Sequence, residues 1–583
     1  MRIARLACAG AVLALASGAP AALGEVPAGA AKPDPAAAAG GDAAKGTFGR
    51  IAPGPRVLLV TFADRPTAAD VRTRLAGLGR IGAVVPEAGV FSVRGVEVDR
   101  EEVLGRTGVA AAEWSQERVA DAGPRPPSEL GEAPVLTDPL HTPESQWGLF
   151  RGTWSSALTT IPRPRIAILD SGIDKDHPEW SRPGLLVAPY SSLRDVREAD
   201  DHSITGHGTH VAGIAAAPAN GIGVVGAAPA SPEAGQVIPV QIADRTGRST
   251  DDTMMRGIRW AVRRGAKVVN ISAGGPGFSR AFQDTILWAS QRGALIVASV
   301  GNEGAEENGV NYPAAYPRVL GVGAQCDGST SFDCPAPFAA ASFSNHNRTV
   351  DVVAPGVSIL STIPRDVREG LVTPGYGVKD GTSMATPFVA GVAALVMANN
   401  PDQLSPYQVH RQLTNTAIDL GARGRDDRSG AGAVNPLAAV TLPAPADDTD
   451  EVNDDIKFVL TRKPSAERRR NRVISAMIDQ SEDPDDVYGV VLRKGDRIRA
   501  TLDYRRGGRG QVDLYLWSPR TRTVRVTGQS NLERNLVAYS GRRNARRQVI
   551  TETVTRSGRH YLNAFARRGG GQYTLRVSIR RAG

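Results

Sequence analysis

The sequence predicts a multidomain protein whose central part is an α/β domain with a doubly wound parallel sheet. The chain has 583 residues, too many for a single hydrophobic core. Within residues 146–440, near-continuous apolar runs such as 165–170 and 294–301 alternate with helical patterns. Strands of this kind lie in parallel sheets that are covered on both faces, and their alternation with helices is typical of α/β folds.

The N-terminal residues 1–24 have the pattern of a secretory signal peptide. Two arginines precede an apolar run, and an Ala-Pro-Ala at 19–21 provides the small residues of a cleavage site. The run is shorter than a membrane anchor requires, and no later segment of the sequence is long and apolar enough to span a bilayer. We therefore expect a protein that is secreted or associated with the cell envelope. Residues 25–48 form an Ala/Pro/Gly-rich spacer.

Residues 49–121 predict a small α+β domain. A strand at 56–65 precedes a helix at 67–80, and two strands, a second helix and a last strand follow. The order β-α-β-β-α-β is that of the split βαβ fold. A Pro-rich connection leads from it into the α/β domain, to which we assign residues 122–440.

The C-terminal part predicts an acidic linker at 441–455 and an all-β sandwich at 456–583. The sandwich is indicated by short runs of alternating apolar and polar residues between Gly-rich turns. Residues 451–583 contain 29 Lys and Arg against 14 Asp and Glu, whereas the whole chain has a net charge of only +9. Such a basic surface suits anionic polymers, but we expect no nucleic-acid partner, because no nucleic-acid-binding module and few interleaved aromatic residues are present.

The three cysteines fit an exported protein. Cys8 lies in the signal segment, which leaves Cys326 and Cys334 as an even pair that can close one small loop in an oxidising compartment. A metal site is disfavoured, since two thiols without an adjacent histidine or a second pair make a poor ligand set.

Three polar residues stand where elements of the central domain begin or end. Asp170 ends a buried strand, His207 begins a helix of small residues in GHGTHVAG, and Ser383 begins another in GTSMATPFVAG. A serine becomes a useful nucleophile when a neighbouring base takes its proton, and a third group orients that base. The order Asp…His…Ser is one of the orders in which such triads occur.

The three blocks ILDSGID, HGTHVAG and GTSMATPFVAG together resemble the signatures of subtilisin-like serine peptidases. The resemblance implies a subtilisin-like catalytic domain that cuts proteins through an acyl-enzyme on Ser383, with His207 as base and Asp170 orienting it. SVGNEG at 299–304 implies that the side-chain amide of Asn302 donates to the oxyanion. We expect an endopeptidase that needs no cofactor for catalysis.

The resemblance also implies a substrate cleft and a structural metal. In SAGGP, the cleft wall would pair with an extended peptide through Ser272, Ala273, Gly274 and Gly275. A structural calcium would be bound by Gln146, Glu179 and Asn220, with glutamate at a position where many relatives have aspartate.

The resemblance also implies roles for the two flanking domains. The 49–121 domain resembles an inhibitory prodomain that acts as an intramolecular inhibitor and is then removed by self-cleavage. The 456–583 domain is similar to prepeptidase C-terminal domains. We expect a monomer.

Three alternatives stay open. His207 and His210 of HGTH, with Asp201 and His202 nearby, invite a metal-site interpretation, although no HExxH motif occurs. A surface-binding protein on a decayed peptidase scaffold is a second alternative. A lipid or ester hydrolase with the same triad is the third, but Ser383 lacks the GxSxG elbow of α/β-hydrolases.

Overall fold

The computed structural model describes most of the chain after Pro55, and all described residues belong to one unit, Pro55–Gly583. The predicted signal and spacer lie outside the described residues. No helix in the described part of the chain is long and apolar enough to cross a membrane. The described residues are 57–64, 66–78, 80–94, 100–114, 117–120, 123–124, 140–150, 163–193, 198–233, 235–304, 306–399, 404–445, 452–460, 471–480, 483–504, 511–524, 535–542 and 545–582.

The N-terminal domain has the predicted β-α-β-β-α-β order. Its strands β1 (Val57–Phe62), β2 (Arg80–Val85), β3 (Val90–Arg94) and β4 (Val109–Trp114) form an antiparallel sheet in the order β2-β3-β1-β4. Thr67 begins the first helix with a capping box, in which its side chain and that of Asp70 each accept a hydrogen bond from the other's backbone N–H. Two short strands follow the domain. The elements are β1 Val57–Phe62, α1 Ala68–Arg74, β2 Arg80–Val85, β3 Val90–Arg94, α2 Arg100–Leu104, β4 Val109–Trp114, β5 Glu117–Ala120 and β6 Gly123–Pro124.

The central domain alternates strands and helices as the sequence predicts. Its elements are α3 Trp147–Phe150, β7 Arg165–Asp170, β8 Tyr190–Ser191, α4 His207–Ala216, β9 Val237–Gln241, β10 Arg248–Thr250, α5 Asp251–Arg263, β11 Ala266–Ile271, β12 Ala273–Gly274, α6 Arg280–Ser290, β13 Leu295–Ser299, β14 Val319–Gln325, β15 Val352–Pro355, β16 Ile359–Thr362, β17 Leu371–Thr373, β18 Tyr376–Asp380, α7 Thr382–Ala398, α8 Pro406–Asn415 and α9 Pro436–Thr441.

The central sheet has seven parallel strands in the order β15-β14-β13-β11-β7-β9-β8. Alternate residues of β7 serve two separate cores: Ile166 and Ile168 pack on the side of α4 and α7, whereas Ala167 and Leu169 pack on the side of α5 and α6. This explains why the strand sequences are apolar throughout. The chain reverses its direction of winding at β7, which has β9 on one side and β11 on the other. Binding sites in open α/β sheets form at such a point.

The C-terminal domain is the predicted β-sandwich. Its antiparallel sheets have the orders β19-β26-β21-β24 and β20-β25-β22-β23 and enclose one apolar core. The elements are α10 Ile456–Val459, β19 Asn471–Asp479, β20 Asp485–Leu492, β21 Arg497–Tyr504, β22 Gln511–Trp517, β23 Leu536–Ser540, β24 Arg547–Thr553, β25 Gly558–Arg568 and β26 Gly570–Arg580. The sequence predicts an acidic linker at 441–455, and its last residues, including Asp454 and Asp455, are buried between the two domains.

Candidate active site

Asp170 and His207 form a buried pair at the carboxyl edge of the central sheet. Asp170 is the last residue of β7 and His207 the first residue of α4. Nδ1 of His207 lies 2.7 Å from Oδ1 of Asp170, which also accepts the backbone N–H of Ser171 at 2.7 Å. Because an ionised carboxylate only accepts, Nδ1 carries the proton, and Nε2 is left with the lone pair that a general base needs.

Ser383 is the second residue of α7, and its surroundings explain the proline one turn later. Pro387 has no N–H to donate to the Ser383 carbonyl. Ser272 supplies the missing donor, since its Oγ donates to the Ser383 carbonyl at 3.0 Å. Gly381, before the helix, has φ 148°, a conformation that favours glycine. The first turn of α7, which lacks this backbone hydrogen bond, is therefore stabilised by Ser272.

The Ser383 hydroxyl is not bonded to His207. It donates instead to the backbone carbonyl of Ser272 at 3.2 Å. Nε2 of His207 has no hydrogen-bond partner among the described residues. The structure thus brings Asp170 and His207 into contact, and it places Ser383 on α7, which packs beside α4.

Asn302 lies in the loop after β13 and contacts the start of α7. Its Oδ1 accepts hydrogen bonds from the backbone N–H and the hydroxyl of Thr382, both at 2.9 Å. With the amide oxygen held by Thr382, the amide nitrogen is turned away from it. The N–H of Ser383 and the positive end of the helix dipole at the start of α7 favour negative charge in this place.

Two strands of the N-terminal region cross this edge of the central domain. β5 lies between β10 and β12, with Ala120 opposite Ala273 and Val119 opposite Gly274. β6 pairs with β18, with Gly123 opposite Asp380. The chain thus pairs first with β12, directly after Ser272, and then with β18, which ends just before α7.

The four predicted substrate-binding residues have different contacts. Ala273 and Gly274 pair with β5 as a cleft wall pairs with an extended peptide. Ser272 contacts Ser383 through its side chain and its carbonyl. Gly275 forms an isolated bridge with Tyr312.

The comparisons with known proteins agree with this geometry. Residues 163–432 match the Subtilase family of peptidases. Over 278 residues the chain is 38% identical to subtilisin from Bacillus pumilus, an alignment that covers 47% of this chain and 90% of that protein. The chain belongs to the subtilase family. It is a serine-type endopeptidase.

Fervidolysin from Fervidobacterium pennivorans is a larger relative. It is 37% identical over 318 residues, which cover 51% of this chain and 43% of fervidolysin. The crystal structure of fervidolysin, described as a keratinolytic enzyme related to subtilisin, matches with a TM-score of 0.57 and 22% identity, covering 86% of this chain and 85% of that one. At this identity the structural likeness supports the fold alone.

In this subtilase, the residues predicted to bind calcium do not fit a cation site. Glu179 is fully buried, and its carboxylate accepts hydrogen bonds from Asn220 Nδ2 at 3.1 Å, the Val224 N–H at 2.9 Å and the Tyr376 hydroxyl at 3.2 Å. Oε1 of Gln146 accepts the Val225 N–H at 3.1 Å. Calcium needs several oxygens turned toward one point, and these oxygens face protein donors instead.

The alternative metal site at HGTH is not formed. The ring of His210 is buried, and its Nε2 lies 3.0 Å from the Gly377 carbonyl. Burial, with a smaller effect of the charge of Lys379, holds the pKa of His210 well below its usual value. His202 is largely exposed. No group of three or more histidine, cysteine or acidic side chains suited to a metal occurs in the described ranges. Cys326 and Cys334 form the predicted disulfide.

Two supporting residues were missed in the sequence. Thr382 holds Asn302, and a polar residue directly before Ser383 is the signal that could have found it. Asp201 holds the start of α4, because it accepts hydrogen bonds from Ser171 Oγ at 3.0 Å and from both the N–H and the hydroxyl of Thr209 at 2.9 and 2.7 Å. This network fixes the backbone that carries His207.

Proposed function

We propose that the protein is an exported serine endopeptidase, made as a zymogen that processes itself, and that its catalytic residues are Asp170, His207, Ser383 and Asn302. The observation that carries the proposal is the path of the chain through the cleft. β5 pairs with β12 as a substrate strand would, and β6 then pairs with β18. The signal pattern at 1–24 and the disulfide support export.

Catalysis begins when the Ser383 hydroxyl turns from the Ser272 carbonyl to Nε2 of His207. Such hydrogen bonds often form only when substrate is bound. His207 takes the hydroxyl proton as Oγ bonds to the peptide carbonyl carbon, and the buried carboxylate of Asp170 stabilises the imidazolium that forms. The C–N bond then breaks, and the amine leaves with the proton from Nε2.

The acyl-enzyme is hydrolysed by the same groups. Water adds to the ester carbonyl while His207 takes its proton, and Ser383 leaves with that proton as the acid product forms. In both steps the amide of Asn302 and the N–H of Ser383 donate to the oxyanion. Loss of one such donor lowers kcat by about 10²–10³-fold.

The N-terminal domain acts as an intramolecular inhibitor until one bond is cut. Ala120 pairs with β12, and Gly123 pairs with β18. Only Asp121 and Ala122, which lie outside the described residues, join them. We place the processing cut at the middle bond of this connection, Asp121–Ala122.

Intact mass and N-terminal sequencing test the proposal. Secreted wild type should lose its N-terminal domain and begin at Ala122, whereas Ser383→Ala should keep residues up to that point uncut. Thr382→Ala, which frees the amide of Asn302, serves as a graded control that should process slowly. Equal processing of wild type and Ser383→Ala would refute self-cleavage.

A further inference from the structure

A cleft of about 760 Å³ lies where the N-terminal domain, the start of α6 and the C-terminal sandwich meet. Residues 110–112 of β4 line one side. The other side carries four aromatic residues that belong to the mature part of the chain, which we call the aromatic shelf: Phe278, Tyr515, Trp517 and Phe565. Removal of the N-terminal domain takes away one wall of this cleft and leaves the shelf in place.

The shelf is built on the outer face of the sandwich. Alternate residues of β22, such as Leu514 and Leu516, fill the sandwich core, while Tyr515 points to the other face and stacks at 5.8 Å on Trp517. Arg567 donates a hydrogen bond to the Tyr515 hydroxyl at 3.3 Å. Trp517 is itself buried, whereas Phe278 and Tyr515 are shelf residues that a ligand can reach.

Buried ion pairs fix the sandwich to the catalytic domain. Arg318 donates to Asp454 at 3.0 Å and to Asp483 at 2.7 Å, and all three side chains are almost fully buried. Lys457 forms a further buried pair with Asp284 of α6. Because separation of the two domains would break these buried ion pairs, it is energetically unfavourable. The shelf therefore keeps a fixed position relative to the substrate cleft.

The shelf continues the substrate cleft on the side that precedes the cut. Phe278 follows the cleft wall by four residues and has 51% of its surface exposed. The chain that pairs with the wall at Ala120 passes along the shelf cleft at residues 110–112, eight to ten residues earlier. A substrate that enters β12 in the same direction reaches the shelf at a similar distance.

We propose that the aromatic shelf of the mature enzyme binds extended polypeptide substrates about ten residues N-terminal to the bond that is cut. Apolar and aromatic side chains of the substrate pack there against Tyr515 and Phe278. The C-terminal domain is then a permanent part of the substrate-binding surface. This inference rests on the peptidase function proposed above.

Two peptides with the same cleavable core test the shelf. One begins four residues before the cut, and the other begins twelve residues before it, with Phe and Leu at the tenth to twelfth positions. Mature wild type should cut the extended peptide with kcat/KM about fivefold to tenfold higher, mainly through KM, since one stacked aromatic contact contributes about this factor.

Variants assign that gain to the shelf. Tyr515→Ala should lose the gain and keep its activity on the short peptide, whereas Tyr515→Phe should retain it. Val473→Ala, an exposed residue on the other sheet of the sandwich, is the matched control and should behave as wild type. Phe278→Ala, on the catalytic domain, gives a second test should Tyr515→Ala fail to fold.

Intact mass of the mature enzyme should extend to Gly583. Loss of the C-terminal domain on maturation, equal cleavage of both peptides by wild type, or a gain that survives both alanine substitutions would overturn the shelf proposal. Failure of wild type to cut even the short peptide would instead overturn the peptidase function, and the shelf with it.

Discussion

The N-terminal domain and the C-terminal sandwich pack against neighbouring surfaces of the same catalytic domain, but their charged contacts differ. Glu87 of the N-terminal domain binds Arg259 at 2.9 Å and Arg263 at 2.8 Å through side chains that are 21–57% exposed. The sandwich is attached through Arg318 and its two aspartates, which are at most 3% exposed. Exposed pairs exchange readily with water, whereas buried ones do not. The contact of the N-terminal domain is suited to release, and that of the sandwich is suited to permanent attachment.

The largest expected effect is that of Arg318→Met. It leaves Asp454 and Asp483 buried without their partner, which costs about 3–5 kcal/mol. Urea unfolding of the variant, in a Ser383→Ala background that prevents self-digestion, should show this loss.

Two controls sharpen the result. Arg182→Met removes an exposed arginine whose pair with Glu233 spans 3.7 Å, and it should change the free energy of unfolding by less than about 0.5 kcal/mol. Adding Asp454→Asn and Asp483→Asn to Arg318→Met should recover part of the loss, because no uncompensated charge then remains. If Arg318→Met is as stable as Arg182→Met, the attachment of the sandwich does not depend on this network.

A second set of contacts holds residues 140–146 of the catalytic domain against its 223–225 loop. Leu140 donates to the Gly223 carbonyl, and Gln146 bonds Val225, beside the buried Glu179. Since protein donors satisfy Glu179, we propose that calcium is not required here. Glu179→Gln should cost about 1–3 kcal/mol, the effect of disturbing a buried hydrogen-bonded group.

A chelator gives the matching test of the mature enzyme. A cation bound at 100 times its Kd would add about 2.7 kcal/mol and raise Tm by about 2–4 °C. We expect calcium and EDTA to give the same Tm. A calcium-dependent rise in wild type that disappears in Glu179→Gln would contradict the hydrogen-bonded interpretation.

A smaller effect is expected from substitution at the contact between Glu87 and the two arginines of α5. Glu87→Gln removes the charge that pairs with Arg259 and Arg263, so the cleaved N-terminal domain should leave up to about fivefold faster. The lag between processing and full activity measures this release. Glu102→Gln, which removes an exposed pair with Arg106 inside the N-terminal domain, should leave the lag unchanged. Equal lags in both variants would mean that Glu87 does not hold the inhibitor.

The sequence was informative where a local pattern carries the chemistry. Asp170, His207 and Ser383 stand at element ends, so the contact of Asp170 with His207 and the place of Ser383 at the start of α7 follow from strand and helix patterns. The partners of Arg318 lie 136 and 165 residues away, and the acidic run at 441–455 has the composition of a solvated linker. Likewise, the residues next to Glu179 in the sequence do not predict that Tyr376 donates a hydrogen bond to it. Burial of charge depends on tertiary contacts, which composition does not encode.

The smallest expected effect is the pH dependence of release. Burial alone would raise the pKa of Glu87, but hydrogen bonding and the charges of Arg259 and Arg263 together lower it. Because the pKa is lower in the bound state, the stabilisation is complete above the carboxyl group's ordinary range and is lost as pH falls through the lowered value.

We therefore expect the cleaved N-terminal domain to leave about twofold to threefold faster below pH 4 than at pH 6. Processed protein can be held briefly at each pH and its activity measured at one common pH afterwards. Glu87→Gln should release at nearly the same rate at both values, since it has no carboxyl group there to protonate. A wild-type rate that does not change with pH, or an equal change in Glu87→Gln, would place the control of release elsewhere in the interface.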